Sequence, residues 1–167
     1  DSSHWNNQGA WLGYQELMKT IQEKCPGVQP LTEDDVTVSA CELLKVYNGK
    51  KYSENDLEYL VKNPSAAEDP SWFTSIGYSS SDQWKSYRYY KNAEEDLPKI
   101  LIIGDSYVWM FLLPWISESF SETVFIHQSD SGNLQQMLDV LDPDIVAFAG
   151  LENTVENAIK QIASAVH

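Results

Sequence analysis

The sequence predicts an α/β fold, a three-layer arrangement with helices on both faces of a parallel sheet. Three observations predict it. Apolar runs of strand length stand at residues 99–103, 123–126 and 144–149; helical patterns at 108–120, 133–141 and 153–165 follow them in turn; and the first run ends in Gly104-Asp105-Ser106, a strand-to-helix junction. Strands separated by helices form right-handed β-α-β units, which makes the sheet parallel and covers both of its faces. Ligands bind such sheets beyond the carboxyl ends of the strands. Ser106, the 128–133 loop and the 150–153 loop fall on that edge.

Upstream the pattern is less regular. Residues 9–24 carry Trp11, Leu12, Leu17, Met18 and Ile21 at helical spacing, and Pro26-Gly27 ends the helix. Residues 34–62 mix a candidate strand at 36–40 with a helical stretch at 55–61, and residues 64–70 form a small polar linker. Trp72, Phe73, Tyr78, Trp84, Tyr87, Tyr89 and Tyr90 are spaced by serines, which predicts a small β-rich or irregular excursion at about 64–92. That cluster is either a wall for a ligand or the apolar face of a small sheet.

A chain of 167 residues and 19.0 kDa suffices for one domain spanning 1–167 with its own core. The net charge of −14 and pI near 4.4 exclude nucleic acid and anionic membrane surfaces as natural partners, because both are polyanions; neutral glycans are easier to accommodate. No apolar run approaches the ~20 residues that span a bilayer, and no basic region precedes an apolar one at the start. The chain opens directly on a motif that looks catalytic, so an upstream segment is expected to be missing from it. Cys25 and Cys41 lack the spacing and histidine partners of a zinc site; they read either as one disulfide of an exported protein or as two buried thiols. Neither a metal nor an organic cofactor is expected.

A serine at the junction after residue 103 exposes its hydroxyl beside backbone N–H groups that can stabilise an oxyanion. The same three residues also serve as an ordinary strand-ending turn with a helix cap. At the start of the chain, Asp1-Ser2-Ser3-His4-Trp5 places an acid three residues before a histidine, close enough to meet across one turn. A serine needs a base to become nucleophilic, and the base needs an acceptor to fix its tautomer. Of the three histidines, His167 ends the chain, and His127 closes the second predicted strand as an alternative base.

Asp-x-x-His together with Gly-Asp-Ser resembles the SGNH (GDSL-type) hydrolases and acyltransferases, whose sheet is flavodoxin-like. The histidine motif comes first, as in the permuted branch that includes the alginate O-acetyltransferases of the AlgX/AlgJ type and the DHHW proteins. The resemblance is carried by Asp1 to Ala10, by Tyr90-Lys91-Asn92 leading through Leu97-Pro98-Lys99 into the serine strand, and by Pro143-Asp144-Ile145-Val146. It implies Ser106 as nucleophile, His4 as base and Asp1 as orienting acid; the alginate-type members place their acid two residues before the histidine, where this chain has Ser2. It further implies an oxyanion hole of the Ser106 N–H, the Gly132 N–H and the Asn153 side chain. The bland alternatives are a turn glycine at 132 and a helix cap at 153. The permuted acetyltransferases often carry Glu-Arg near the third strand, where this chain has Glu152-Asn153. Trp5, Tyr107 and Trp109 are candidate substrate contacts, with Trp115 a further aromatic near the site that reads equally as packing.

The implied activity is O-acetylation of a cell-surface or extracellular polysaccharide through a serine acyl-enzyme. The acetyl donor would be relayed by a membrane-bound O-acyltransferase. A carbohydrate acetyl esterase uses the same residues with water as acceptor, and a catalytically silent glycan-binding module would keep the fold alone.

Overall fold

The computed structural model describes residues 4–150 together with Glu156, Ile159, Lys160 and Ala163. The chain divides into two compact units, Asp1–Pro64 and Ser65–His167.

In the first unit, α1 (Asn7–Lys24) starts at the Asn6 cap, whose side chain accepts the Gly9 N–H at 2.9 Å. It buries Ala10, Trp11, Tyr14, Met18 and Ile21, one stripe at three- and four-residue spacing. The Trp11 ring stacks on Tyr14 and on Tyr59, each with centroids 5.1 Å apart. Strands β1 (Val36–Tyr47) and β2 (Lys50–Val61) form a two-stranded antiparallel hairpin. Residues 55–61 are therefore extended, not helical, and the candidate strand at 36–40 runs on to residue 47. The reason is the turn between the strands. Asn48 and Gly49 both have positive φ, 48° and 72°, as a two-residue turn matched to strand twist requires. Twelve paired residues then override the helical leaning of Asn55-Asp56-Leu57-Glu58. Cys25 and Cys41 are half-buried free thiols, so no disulfide links them.

The second unit contains β3 (Ala66–Glu68), α2 (Trp72–Ser75), β4 (Arg88–Asn92), β5 (Lys99–Gly104), α3 (Ser106–Trp109), α4 (Leu113–Ile116), β6 (Glu122–His127), α5 (Leu134–Leu141) and β7 (Ile145–Ala149). The five strands lie in the order β3-β4-β6-β5-β7. Only β5 with β6 and β5 with β7 are parallel, while β4 and β3 extend the sheet antiparallel, so the sheet is mixed rather than parallel throughout. The stretch read as a linker contributes β3, and the aromatic-rich region contributes α2 and β4. Both faces of β5 and β6 are buried: Leu101, Ile103, Val124 and Ile126 join Phe73, Tyr89, Leu134, Met137 and Leu141, while Ile100, Ile102 and Phe125 are also fully buried. Such strands read as unbroken apolar runs.

The helix expected at 108–120 is broken into α3, α4 and a 3-10 turn at Ser117–Ser119. Pro114, in the first turn of α4, lacks the N–H that a continuous helix would need and restarts the chain there. Of the helix expected at 153–165, the described residues Glu156, Ile159, Lys160 and Ala163 are helical.

Candidate active site

Ser106 is the first residue of α3, immediately beyond the carboxyl end of β5. Among the parallel strands the order β6-β5-β7 is second-first-third, the arrangement in which a crevice opens beyond the end of the first strand. Ser106 stands at that point and is half-buried.

Each residue of Gly104-Asp105-Ser106 has a separate local task. A Cβ on Gly104 would collide with the Ala149 carbonyl oxygen of β7 and would lie 3.1 Å from the Phe125 ring. Only glycine lets the two strands close there. Asp105, with extended backbone, is the N-cap of α3, and its Oδ1 accepts the Tyr107 N–H at 3.0 Å. Its carboxylate is buried beneath the turn. Ser106 is thus presented by a packed glycine and a capped turn.

Tyr107 and Trp109 follow on the same turn and are half-buried, whereas Trp115 is buried as packing. The Arg88 guanidinium lies 5.0 Å from the centre of the Trp109 ring. Arg88 also pairs with Glu68 at 3.3 Å and donates to the carbonyls of Lys85 and Tyr87 at 3.2 and 2.8 Å. It ties the start of β4 to the helix that carries Ser106.

His127 ends β6 directly beside Gly104 in the parallel register. Its Nδ1 faces the Ser129 hydroxyl at 2.7 Å and accepts the Ser129 N–H at 3.2 Å, so this ring caps the following 3-10 turn, Gln128–Asn133. Gly132 lies in that turn, at the same sheet edge as Ser106, exposed and with nothing within 4 Å of where a Cβ would stand.

His4 and Trp5 belong to the first unit, just ahead of α1, and both are half-buried. Trp5 lies over the start of α1: a Cβ on Gly13 would come within 2.5 Å of its ring, and one on Gly9 within 3.1 Å of its Cβ. These two glycines make the seat for the indole. The first turn of α1 is held by Asp56, whose carboxylate accepts the Asn7 N–H at 2.7 Å and the Gln8 N–H at 3.4 Å. Asp56 is buried on β2, a position that a helical reading of 55–61 hides. Asp1, Asn153 and His167 lie outside the described residues.

A second carboxylate organises the site edge. Asp130 is buried in the turn after β6 and accepts hydrogen bonds from the Tyr78 hydroxyl at 3.1 Å, the Ser80 hydroxyl, the Ser81 N–H and hydroxyl at 2.8 and 2.7 Å, and the Asp82 N–H at 3.1 Å. Burial alone would raise its pKa; together the donors from Ser80, Ser81 and Tyr78 outweigh burial and hold the carboxyl below its ordinary value. Burial, and then the same carboxylate, push the Tyr78 phenol well up. Residues 78–86 are thereby strapped to the carboxyl edge of the sheet. Sequence reasoning missed Asp130, Asp82 and Arg88 because their partners are distant or backbone groups. Among the described residues no group of three or more His, Cys, Asp and Glu is placed to hold a metal ion.

No protein-family model matches the chain, and no curated protein matches it. Solved structures do. Two structures of Bacillus cereus PatB1, one with a sulfonyl adduct, are 18% identical over 91% of this chain, with TM-scores of 0.67 and 0.68, and the match covers 61% and 59% of the PatB1 chains. A DHHW family protein from Eubacterium siraeum DSM 15702 is 14% identical over 96% of this chain and 61% of its own, with a TM-score of 0.59. The likeness is one of fold. This chain spans about three fifths of the length of these neighbours.

Proposed function

We propose that this chain is a serine O-acetyltransferase of the SGNH type, with the three-layer arrangement of that fold, acting on a cell-surface or extracellular polysaccharide. The observation that carries the reading is the setting of Ser106: a capped, glycine-closed turn at the end of the first strand in a second-first-third sheet, in a fold shared with PatB1. A sulfonyl adduct, as PatB1 carries in one structure, is the product expected when an electrophilic sulfonyl reagent meets an activated nucleophile.

In this mechanism the Ser106 Oγ attacks the acetyl carbonyl of the donor while His4 takes the hydroxyl proton and Asp1 orients the imidazole. The tetrahedral oxyanion is held by the Ser106 N–H, the Gly132 N–H and the Asn153 side chain. Collapse releases the donor's leaving group, which receives the proton from His4. A sugar hydroxyl then attacks the acetyl ester, its proton passing through His4 to the Ser106 oxygen as that bond breaks. Trp5, Tyr107 and Trp109 line the approach, and the donor is loaded by a membrane-bound O-acyltransferase.

The test is release of p-nitrophenol from p-nitrophenyl acetate, with and without chito-oligosaccharide, and mass spectrometry of the sugar. Acetylated sugar is the expected product. Hydrolysis alone at every sugar concentration would make the chain an esterase, and no reaction with an unmodified Ser106 would overturn both.

A further inference from the structure

The aromatic-rich stretch divides into two groups once folded. Trp72 stacks on Tyr89 with centroids 4.5 Å apart, and Phe73 meets Trp72, Tyr78 and Tyr87 at 5.0, 5.0 and 4.5 Å. Phe73 and Tyr89 belong to the buried core and the other three pack against it. Tyr90 is buried enough that its phenol is pushed up to about 12, burial being the main cause. Trp84 alone of the seven is exposed, at 77%.

We infer that Trp84 is a stacking platform for a neutral pyranose ring of the glycan, on the acceptor side of the Ser106 site. Its loop is not slack. Besides the five hydrogen bonds from the strap to Asp130, the Asp82 carboxylate accepts the Trp84 and Ser86 N–H groups at 3.4 and 2.6 Å, and the Lys85 N–H closes a turn onto the Asp82 carbonyl at 3.0 Å. Asn133 fastens the strap again, donating to the Ser79 carbonyl at 3.1 Å. Lys85 holds a left-handed φ of 49°, a conformation that a non-glycine residue keeps only where its surroundings impose it.

A rigid loop that needed Trp84 for its own stability would bury it, since removing so large an apolar ring from water is favourable. Here the ring is held out on a fixed backbone, so that only its own two side-chain torsions are left to order on binding. The position also suits an acceptor. The strap enters β4 at Arg88, which pairs with Phe125 near the carboxyl end of β6 and lies on Trp109, in the same turn of helix as Ser106. Four residues of chain reach at most roughly 14 Å, so Trp84 stands within a short oligosaccharide of Arg88. An indole stacks on the apolar C–H face of a sugar. A chain of net charge −14 favours a neutral sugar over a uronic or phosphorylated one.

The placing on the acceptor side rests on the proposed function, but the binding does not. Chitotetraose and a neutral glucan tetrasaccharide are titrated into the full chain and into Trp84→Ala, Trp84→Phe and Tyr52→Ala, the last an exposed aromatic on the hairpin of the first unit. Calorimetry gives Kd and transfer assays give KM. The expected result is a loss of affinity of about fivefold in Trp84→Ala, partial rescue in Trp84→Phe, a matching rise in KM, and no change in Tyr52→Ala, by the usual worth of an aromatic contact. Equal affinity in wild type and Trp84→Ala at an unchanged melting temperature, or no binding of either sugar by the wild type, overturns the inference. Binding lost in Trp84→Ala by a wild type that transfers no acetyl group would leave Trp84 as a glycan contact and remove only the acetyltransferase reading.

Discussion

Two buried aspartates shape the same sheet edge by opposite means. Asp105 receives the Tyr107 N–H, two residues away, whereas the donors to Asp130 come from residues 48 to 52 positions earlier in the chain. The first makes a turn that its own neighbours nearly dictate. The second makes a strap that exists only once β6 and β4 have paired. The setting of Ser106 should therefore resist local change, and the strap should be the part of the edge that yields first.

The largest effect expected separates chemistry from scaffold at the local turn. Ser106→Ala is expected to lower turnover by roughly 10³-fold or more, the cost of a lost nucleophile, with thermal unfolding unchanged. Retained activity would place the reaction elsewhere. Gly104→Ala should do the reverse, acting on stability first: with the Ala149 carbonyl in the way, the strands must part at a cost of about 3 kcal/mol, read by denaturant unfolding. A neutral result would show that the strand ends are looser than their packing indicates.

The distant contact is weaker in consequence for the whole but larger for its own region. Asp130→Ala should cost about 2 kcal/mol, since it strands several donors to one charged group, and hydrogen exchange should quicken across 78–86 while 99–106 stays protected. If both segments loosen together, the two constructions are one cooperative unit.

Protonation offers a gentler form of the same experiment. The folded-state pKa of Asp130 is lowered, so its contribution is fully present above the unfolded value near ~4 and is lost as pH falls through the folded value. Exchange protection of 78–86, corrected for the intrinsic rate, should hold from neutral pH to about 4 and decline below it. A decline well above that range would mean another group governs the strap. The smallest effect is expected from Gly132→Ala, which has free space around it and should change stability by less than about 0.5 kcal/mol. It should also keep turnover, because the alanine retains the backbone N–H proposed as an oxyanion donor.

The same division between near and far contacts explains what could be read from the residues beforehand. Strands β5, β6 and β7 were legible as apolar runs, and α1 was legible from its buried stripe. Gly104-Asp105-Ser106 was legible as a strand-ending turn because the Asp105 cap on Tyr107 is local, whereas the fit of Gly104 against Ala149 and Phe125 shows only in the fold. The hairpin was misread because Asn55-Asp56-Leu57-Glu58 leans helical, although Asn48-Gly49 carried the contrary signal in two residues. Pro114 likewise marked the break between α3 and α4. Asp130 left no such trace: an aspartate in a polar loop looks the same whether or not a serine-rich segment fifty residues away will close on it. The aromatic stretch showed its composition, but only the folded packing of α2 and β4 reveals that six of its rings are buried or half-buried and Trp84 is exposed.

Gly104 bears on how such chains are sorted by motif. Its missing side chain makes room for the Ala149 carbonyl, and Asp105 secures the first turn of α3; both duties belong to assembly and would persist in a chain whose Ser106 had been replaced. Two letters of the tripeptide thus report that the domain folds, and the third alone bears on the acyl chemistry proposed for it. A chain without that chemistry could keep Gly-Asp indefinitely, so a search keyed to those two positions would collect inactive chains together with active ones.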